Sequence, residues 1–220
     1  MLLDIHQLRE EYSGEPLTPD SVDKNPFSQF AAWFDEATKV EADTPNAMTL
    51  ATATPDGMPN ARIVLLKEVN ESGFVFFTNY GSRKSREMTD NPRVALVFFW
   101  SELHRQVKVE GTVSKVSREE SVAYFQSRPR GSQIGAWASP QSRVIESREI
   151  LENAYDQYEK QFAGADPIPC PDHWGGFVVK PSLIEFWQGR NNRLHDRLQY
   201  RHQFDPTSYE GKWVIEVVAP

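Results

Sequence analysis

Four clusters of cations, hydroxyls and amides hold the residues best suited to chemistry in this chain. In Arg62-Ile63-Val64-Leu65-Leu66-Lys67 a charge stands at each end of an apolar run. Five positions apart, the two cations point to opposite faces of a regular strand, as solvated strand ends or as ligand groups. In Thr78-Asn79-Tyr80-Gly81-Ser82-Arg83-Lys84-Ser85-Arg86 a strand runs through a turn into a helix whose first turn carries hydroxyls and cations. Free N–H groups at a helix start, with hydroxyls and an Arg-Lys pair, make a cradle for phosphate; the other reading is a solvated basic face. Arg128-Pro129-Arg130-Gly131-Ser132, preceded by Tyr124, could hold a second phosphate. The fourth cluster, Trp187-Gln188-Gly189-Arg190-Asn191-Asn192-Arg193-Leu194-His195-Asp196-Arg197, spaces Arg193, His195 and Arg197 oddly, so one strand would align them on one face. Two cations and an imidazole in a row are costly to bury unless an anion meets them.

Other chemistries lack their parts. There is no glycine-rich loop of dinucleotide or P-loop form and no Gly-x-Ser-x-Gly elbow. Cys170 and His173 could form half a metal site, but His104, His195 and His202 do not supply the other half at ligand spacing. The net charge of -7 argues against nucleic acid and anionic membranes as partners, leaving small anions for the local basic clusters. One cysteine forbids an internal disulfide, the N-terminus has no signal-peptide core, and no apolar run is long enough to cross a bilayer; the expectation is a cytoplasmic protein.

The elements that would position these clusters are mostly strands. Residues 1–25 are polar and broken by Gly14, Pro16 and Pro19, which suggests a mobile arm. Asn25-Pro26 caps a helix whose Phe27, Phe30, Trp33, Phe34 and Ala37 make one apolar face. Strands follow over Ala47–Thr54, Ala61–Val69, Gly73–Thr78, Arg93–Trp100 and Gln106–Val116, with short links between them. Ser117-Arg118-Glu119-Glu120 has the form of a capping box, opening a helix through Gln126, and a second helix spans Ser147–Phe162. Phe177–Trp187, Leu194–Arg201 and Lys212–Val217 return to strand character. Short antiparallel links favour a meander or barrel over a doubly wound sheet, in a single domain over residues 1–220.

In order and approximate spacing the four clusters resemble the pyridoxine 5'-phosphate oxidase family, from about Arg9 to Trp213. The resemblance implies a mainly β fold, the FMN-binding split β-barrel, antiparallel and Greek-key-like with flanking α-helices. It also implies a homodimer with FMN at the interface. The implied reaction oxidises pyridoxine 5'-phosphate or pyridoxamine 5'-phosphate at C4' to pyridoxal 5'-phosphate. Hydride goes to the flavin, dioxygen takes the electrons to give hydrogen peroxide, and the amine substrate also releases ammonia.

By position, the resemblance implies that Arg62, Thr78, Arg83 and Lys84 hold the phosphate and ribityl chain of FMN, beside Ile63, Val64, Leu65 and Phe77. Gln106, Gln141, Ser142, Trp187 and Arg197 complete the implied flavin site. Lys67, Tyr124, Arg128 and Ser132 grip the substrate phosphate, while Arg193, Leu194 and His195 lie over the pyridine ring, with Arg193 and His195 catalytic. Arg9 and Tyr12 match the family's substrate-covering segment. The chain departs from the family where it ends Val217-Val218-Ala219-Pro220 rather than Arg-Leu-Ala-Pro, and where Glu15-Pro-Leu-Thr-Pro19 replaces paired arginines. A non-catalytic binder of FMN or pyridoxal 5'-phosphate, or a split-barrel flavoenzyme with another substrate, would keep part of the same pattern.

Overall fold

The first helix, α1 (Pro26–Val40), begins as its sequence requires: Asn25 Oδ1 accepts from the Phe27 amide at 2.9 Å, and Pro26 takes the first helical position. In this computed structural model residues 11–40, 43–205 and 210–220 are described. They fall into two compact units. Unit 1 takes in the chain up to Thr49, Ala95–Glu110 and Pro181–Pro220, and unit 2 takes Leu50–Val94 and Gly111–Lys180.

The strands are β1 (Ala47–Ala53), β2 (Pro59–Leu65), β3 (Glu68–Asn70), β4 (Gly73–Asn79), β5 (Arg93–Trp100), β6 (Arg105–Lys115), β7 (Trp174–Gln188), β8 (Asp196–Asp205) and β9 (Glu210–Val217). They form one sheet in the order β2-β1-β5-β6-β7-β4-β3, with β8 on β7 and β9 on β8. The first half of β7 pairs antiparallel with β4, from Phe74↔Val179 to Asn79↔Trp174. Its second half pairs antiparallel with β8, from Leu183↔Arg201 to Gln188↔Asp196.

In unit 1 the apolar face of α1 is buried through Phe30, Trp33 and Ala37. Phe30 meets Phe98 edge-on with ring centres 5.0 Å apart, and Trp33 stands perpendicular to Phe186 at 5.2 Å. Burying large aromatics contributes roughly 2 kcal/mol each by area. Residues 11–25, polar in composition, contain no helix or strand. They are nonetheless tied down: Leu17 and Val22 are buried, and the buried Tyr200 hydroxyl donates to Asp23 O at 2.6 Å.

Unit 2 carries the helices α2 (Arg83–Asp90), α3 (Arg118–Ser127), α4 (Arg130–Ala138) and α5 (Arg148–Gln161). The capping box of α3 is present, with Ser117 Oγ accepting from the Glu120 amide and Glu120 accepting from the Ser117 amide. One expectation is corrected here, and one helix is added. The strand expected over Ala61–Val69 breaks at Leu66-Lys67, because Leu66 is buried while Lys67 and Glu68 are both exposed, which interrupts the two-residue alternation. Residues 130–138, to which the sequence assigns no element, form α4, held by the buried side chains of Gln133, Ile134, Ala136 and Ala138. Gly131 and Gly135 weaken the intrinsic helix signal, and tertiary burial overrides it.

Candidate functional site

The side chains of the second and third clusters converge within unit 2 on a cleft of about 620 Å³. Its walls include Ile63, Val64, Leu65, Lys67, Phe77, Thr78, Lys84, Tyr124, Arg128, Ser132 and Gln141. An aromatic stack backs it: Phe77 lies 4.0 Å from Tyr124 and 5.6 Å from Trp174, with the rings near parallel. The Arg128 guanidinium lies over Trp174, 4.6 Å from the ring centre, and Lys67 Nζ is 6.0 Å from the ring of Tyr124.

Arg128 is set in place by a neighbouring buried amide. Gln133 Nε2, on α4, donates to the carbonyls of Phe125, Gln126 and Arg128 at 3.0–3.2 Å, satisfying the C-terminal end of α3. Arg128 Nη1 is buried and has no hydrogen-bond partner. Burial holds this guanidinium's pKa below its ordinary value, while Tyr124 and Cys170 oppose the shift. Among the described residues no carboxylate lies within salt-bridge distance of Arg128 or Lys67. A buried cationic N–H without a partner costs on the order of 1–3 kcal/mol, a cost that a ligand anion removes.

The start of α2 also reaches the cleft, through Lys84. Ser82 caps the helix by accepting from the Ser85 amide. Among the described residues Lys84 Nζ donates to neutral oxygens only: Thr78 Oγ1 at 3.1 Å, Ser82 Oγ at 3.3 Å and Gln141 Oε1 at 2.9 Å. Burial, with a smaller push from Arg62, lowers the ammonium pKa to about 8. A half-buried ammonium at a helix N-terminus is arranged for an anion.

Behind Lys84, Glu87 is 5% exposed. It accepts from Thr52 (2.5 Å), Asn60 (3.1 Å), Arg62 (3.3 Å) and Arg83 (2.8 Å). Burial pushes its pKa up, but the bonds from Thr52, Asn60 and Arg83 outweigh that and hold it below the usual carboxylate range. A folded-state pKa below the unfolded one stabilises the chain at neutral pH, and the contribution is lost as pH falls through the carboxylate range. Arg62 also donates to Leu50 O and Thr52 Oγ1, both at 2.9 Å. Replacing Glu87 with Ala strands Arg62, and a loss of about 3 kcal/mol is expected in urea unfolding, with a smaller loss for Gln. Equal stability of Glu87→Ala and the unaltered chain would contradict this network. Sequence reading passed over Glu87, although its place four residues after Arg83 on a helix was a usable signal. Trp174 had no such signal.

The remaining candidates lie in unit 1, apart from Ser142, which sits in unit 2 with φ 68° and does not line the cleft. Arg193, His195 and Arg197 do not share a strand face, which corrects the expectation from their spacing. A 3-10 turn covers Asn191–Arg193, Asn192 and Arg193 have φ of 58° and 62°, and β8 starts only at Asp196. His195 Nδ1 accepts from the Arg190 amide at 3.0 Å, which leaves the ring proton on Nε2. Tyr12 packs edge-on against His195 (5.7 Å) and Trp187 (5.8 Å), and His195 lies 4.7 Å from Trp187. Tyr12 and Leu194 line a cavity of about 490 Å³ with Arg190, Asn191 and Asn192. Arg197 is committed to Glu185 (2.8 Å) and Ala219 O (2.8 Å), and Gln106 lies half-buried on β6. Arg9 lies outside the described residues.

An antiparallel, mainly β chain with flanking helices and a cationic cleft beside stacked aromatics is of the split-barrel class, as its structural likenesses bear out. PhzG from Burkholderia lata, solved with tetrahydrophenazine-1-carboxylic acid, superposes with a TM-score of 0.85 at 26% identity, over 94% of this chain and 100% of that one. A pyridoxamine 5'-phosphate oxidase-related, FMN binding protein from Nostoc punctiforme shares the fold at a TM-score of 0.67 and 16% identity, over 94% of this chain and 100% of that one. The family model for pyridoxamine 5'-phosphate oxidase matches residues 34–162, and that for the pyridoxine 5'-phosphate oxidase C-terminal dimerisation region matches residues 174–220. The chain belongs to the pyridoxamine 5'-phosphate oxidase family. A pyridoxine/pyridoxamine 5'-phosphate oxidase of Salinibacter ruber is 55% identical over 98% of this chain and 99% of its own length. One of Rubrobacter xylanophilus is 58% identical over 91% of this chain and 92% of its own.

Proposed function

We propose that this chain is an FMN-dependent oxidase that converts pyridoxine 5'-phosphate and pyridoxamine 5'-phosphate to pyridoxal 5'-phosphate, with dioxygen as the final electron acceptor, in vitamin B6 metabolism. The observation that carries the reading is Arg128 Nη1, buried without a partner in a cleft where, among the described residues, Lys67 also lacks an acid. A second cationic group, Lys84 at the start of α2, stands on the same cleft. Two phosphates, one on the cofactor and one on the substrate, match two cationic positions. The high identity to oxidases of this name supports the same substrates.

The residues present fit FMN. Lys84, Thr78 and Gln141, with Arg62 and Arg83 held by Glu87, would bind its phosphate and ribityl chain. Ile63, Val64, Leu65 and Phe77 would line the flavin, and Gln106, Ser142, Trp187 and Arg197 would complete its site. Bound FMN supplies the two-electron chemistry and returns the electrons to dioxygen as hydrogen peroxide. Lys67, Tyr124, Arg128 and Ser132 bind the substrate phosphate and so fix where C4' lies. His195, protonated on Nε2, and the cation of Arg193 act at the pyridine ring, with Leu194 and Tyr12 covering it and Arg9 assisting. The working form is a homodimer with FMN at the interface. Ile63 (64% exposed) and Leu65 (40% exposed) are apolar side chains that such a partner would cover. The lone Cys170 suits a reducing cytoplasm, and no described helix is long and apolar enough to cross a membrane.

Anaerobic addition of pyridoxine 5'-phosphate to the FMN-loaded protein tests the reading. Bleaching of the flavin absorbance is expected, and an unchanged spectrum would indicate a non-catalytic binder or another substrate. The Lys84 pKa adds a prediction with a definite sign. The ammonium is charged below about pH 8 and neutral above it, so FMN affinity is expected to fall as pH rises through 8. Lys84→Met should bind FMN more weakly and lose that pH dependence in fluorescence titrations; a retained dependence would contradict the assignment.

A further inference from the structure

Residues 12–17 and the turn 189–196 of unit 1 are joined by three hydrogen bonds, and an ion pair braces the turn side. The Gly14 amide donates to Gly189 O at 3.2 Å, and Arg190 Nη1 donates to Gly14 O at 2.8 Å. The Leu17 amide donates to Asp196 Oδ2 at 3.0 Å, and Arg190 Nε lies 3.7 Å from the same oxygen. The Arg190 and Asp196 side chains are only about a third exposed, and the amide of Arg190 also holds His195 Nδ1. The backbone approaches closely here. A Cβ on Gly14 would collide with the Gln188 amide, and one on Gly189 would meet the Tyr12 side chain at 2.9 Å. A loosely lying tail would accept side chains at both positions.

We propose that Arg190 and Asp196 are positioning residues, a clasp that holds residues 12–17, and with them Tyr12, against His195. The proposal rests on the oxidase reading above. Tyr12 meets His195 and Trp187, and the chain two residues later is fastened to the turn that carries His195. One guanidinium and one carboxylate therefore set the ring that would cover the pyridine, while the backbone amide of Arg190 sets the imidazole that would act on it. The groups facing His195 are Arg190 and Arg193 from the turn, Asp196 from β8 and Tyr12 from the N-terminal segment, with His104 behind Tyr12 at 4.7 Å. Burial and the charge of Arg193 lower the imidazole pKa, and Asp196 opposes them, consistent with a neutral ring.

Arg190→Ala keeps the amide that holds His195 and removes only the guanidinium links. The test compares the FMN-loaded full chain with Arg190→Ala and Arg190→Lys by amide hydrogen exchange and steady-state kinetics. In Arg190→Ala the amides of residues 12–17 are expected to exchange about tenfold faster. The KM for pyridoxine 5'-phosphate should rise about tenfold, with kcat within about threefold and flavin content unchanged. Arg190→Lys, which can still donate to Gly14 O, should recover most of the KM effect. Unchanged exchange in Arg190→Ala overturns the clasp, and faster exchange with an unchanged KM overturns its positioning role. If the unaltered chain does not oxidise the substrate, the oxidase reading fails, and the exchange comparison still decides the clasp.

Discussion

Replacing Arg128 with Met is expected to raise the KM for pyridoxine 5'-phosphate about a hundredfold while FMN affinity stays within about threefold. The guanidinium enters the cleft with one N–H already stripped of water and unpaired, so part of the desolvation cost of meeting a phosphate has been met during folding. Charge-assisted bonds to a dianion then contribute roughly 2–3 kcal/mol, which corresponds to the stated change. Methionine keeps contact with Trp174 and Phe125, so the packing of α3 should survive. The comparison of KM with flavin content isolates substrate binding. An unchanged KM would remove the phosphate from this pocket.

The second large effect is expected at the other residue set. Arg193→Ala and His195→Ala should each slow anaerobic flavin reduction by about a hundredfold, with FMN binding changed by less than about threefold. His195 presents Nε2–H because the Arg190 amide occupies Nδ1, and Arg193 has no carboxylate within salt-bridge distance among the described residues. A neutral donor and an unpaired cation can favour charge that develops on the pyridine as C4' is oxidised. Stopped-flow absorbance gives the reduction rate directly. Loss of FMN in both variants, with normal reduction after reconstitution, would move these residues from catalysis to cofactor binding.

Features with local signals were legible in the sequence. Asn25-Pro26 marks the start of α1, Ser117 and Glu120 form the expected capping box, and β5 has the expected bounds. The cleft was legible for a related reason: Lys67, Lys84 and Arg128 each sit beside a turn or helix start, where charge is conspicuous. What escaped depends on distant packing. α4 contains two glycines, and burial of Gln133 and Ile134 against the rest of unit 2 makes it helical. The row Arg193, His195, Arg197 looked like a strand face because periodicity does not register positive φ at Asn192 and Arg193. Glu87 and Asp196 were visible as residues, but beyond their near partners Arg83 and Arg190 their roles arise from Thr52, Asn60 and Arg62 and from Leu17, 25 or more positions away.

The altered C-terminus illustrates the same limit. Val217-Val218 is the departure that the resemblance singles out, yet the contacts made here are through backbone. The Val218 amide donates to Arg197 O at 2.9 Å and Ala219 O accepts from the Arg197 guanidinium. Those contacts to Arg197 do not depend on the side chains of Val217 and Val218.

The most direct test of the oxidase account is aerobic turnover of pyridoxine 5'-phosphate by the purified, FMN-supplemented chain, with pyridoxal 5'-phosphate and hydrogen peroxide measured together. The account predicts both products in equal amounts. Tight FMN binding with neither product formed would contradict it.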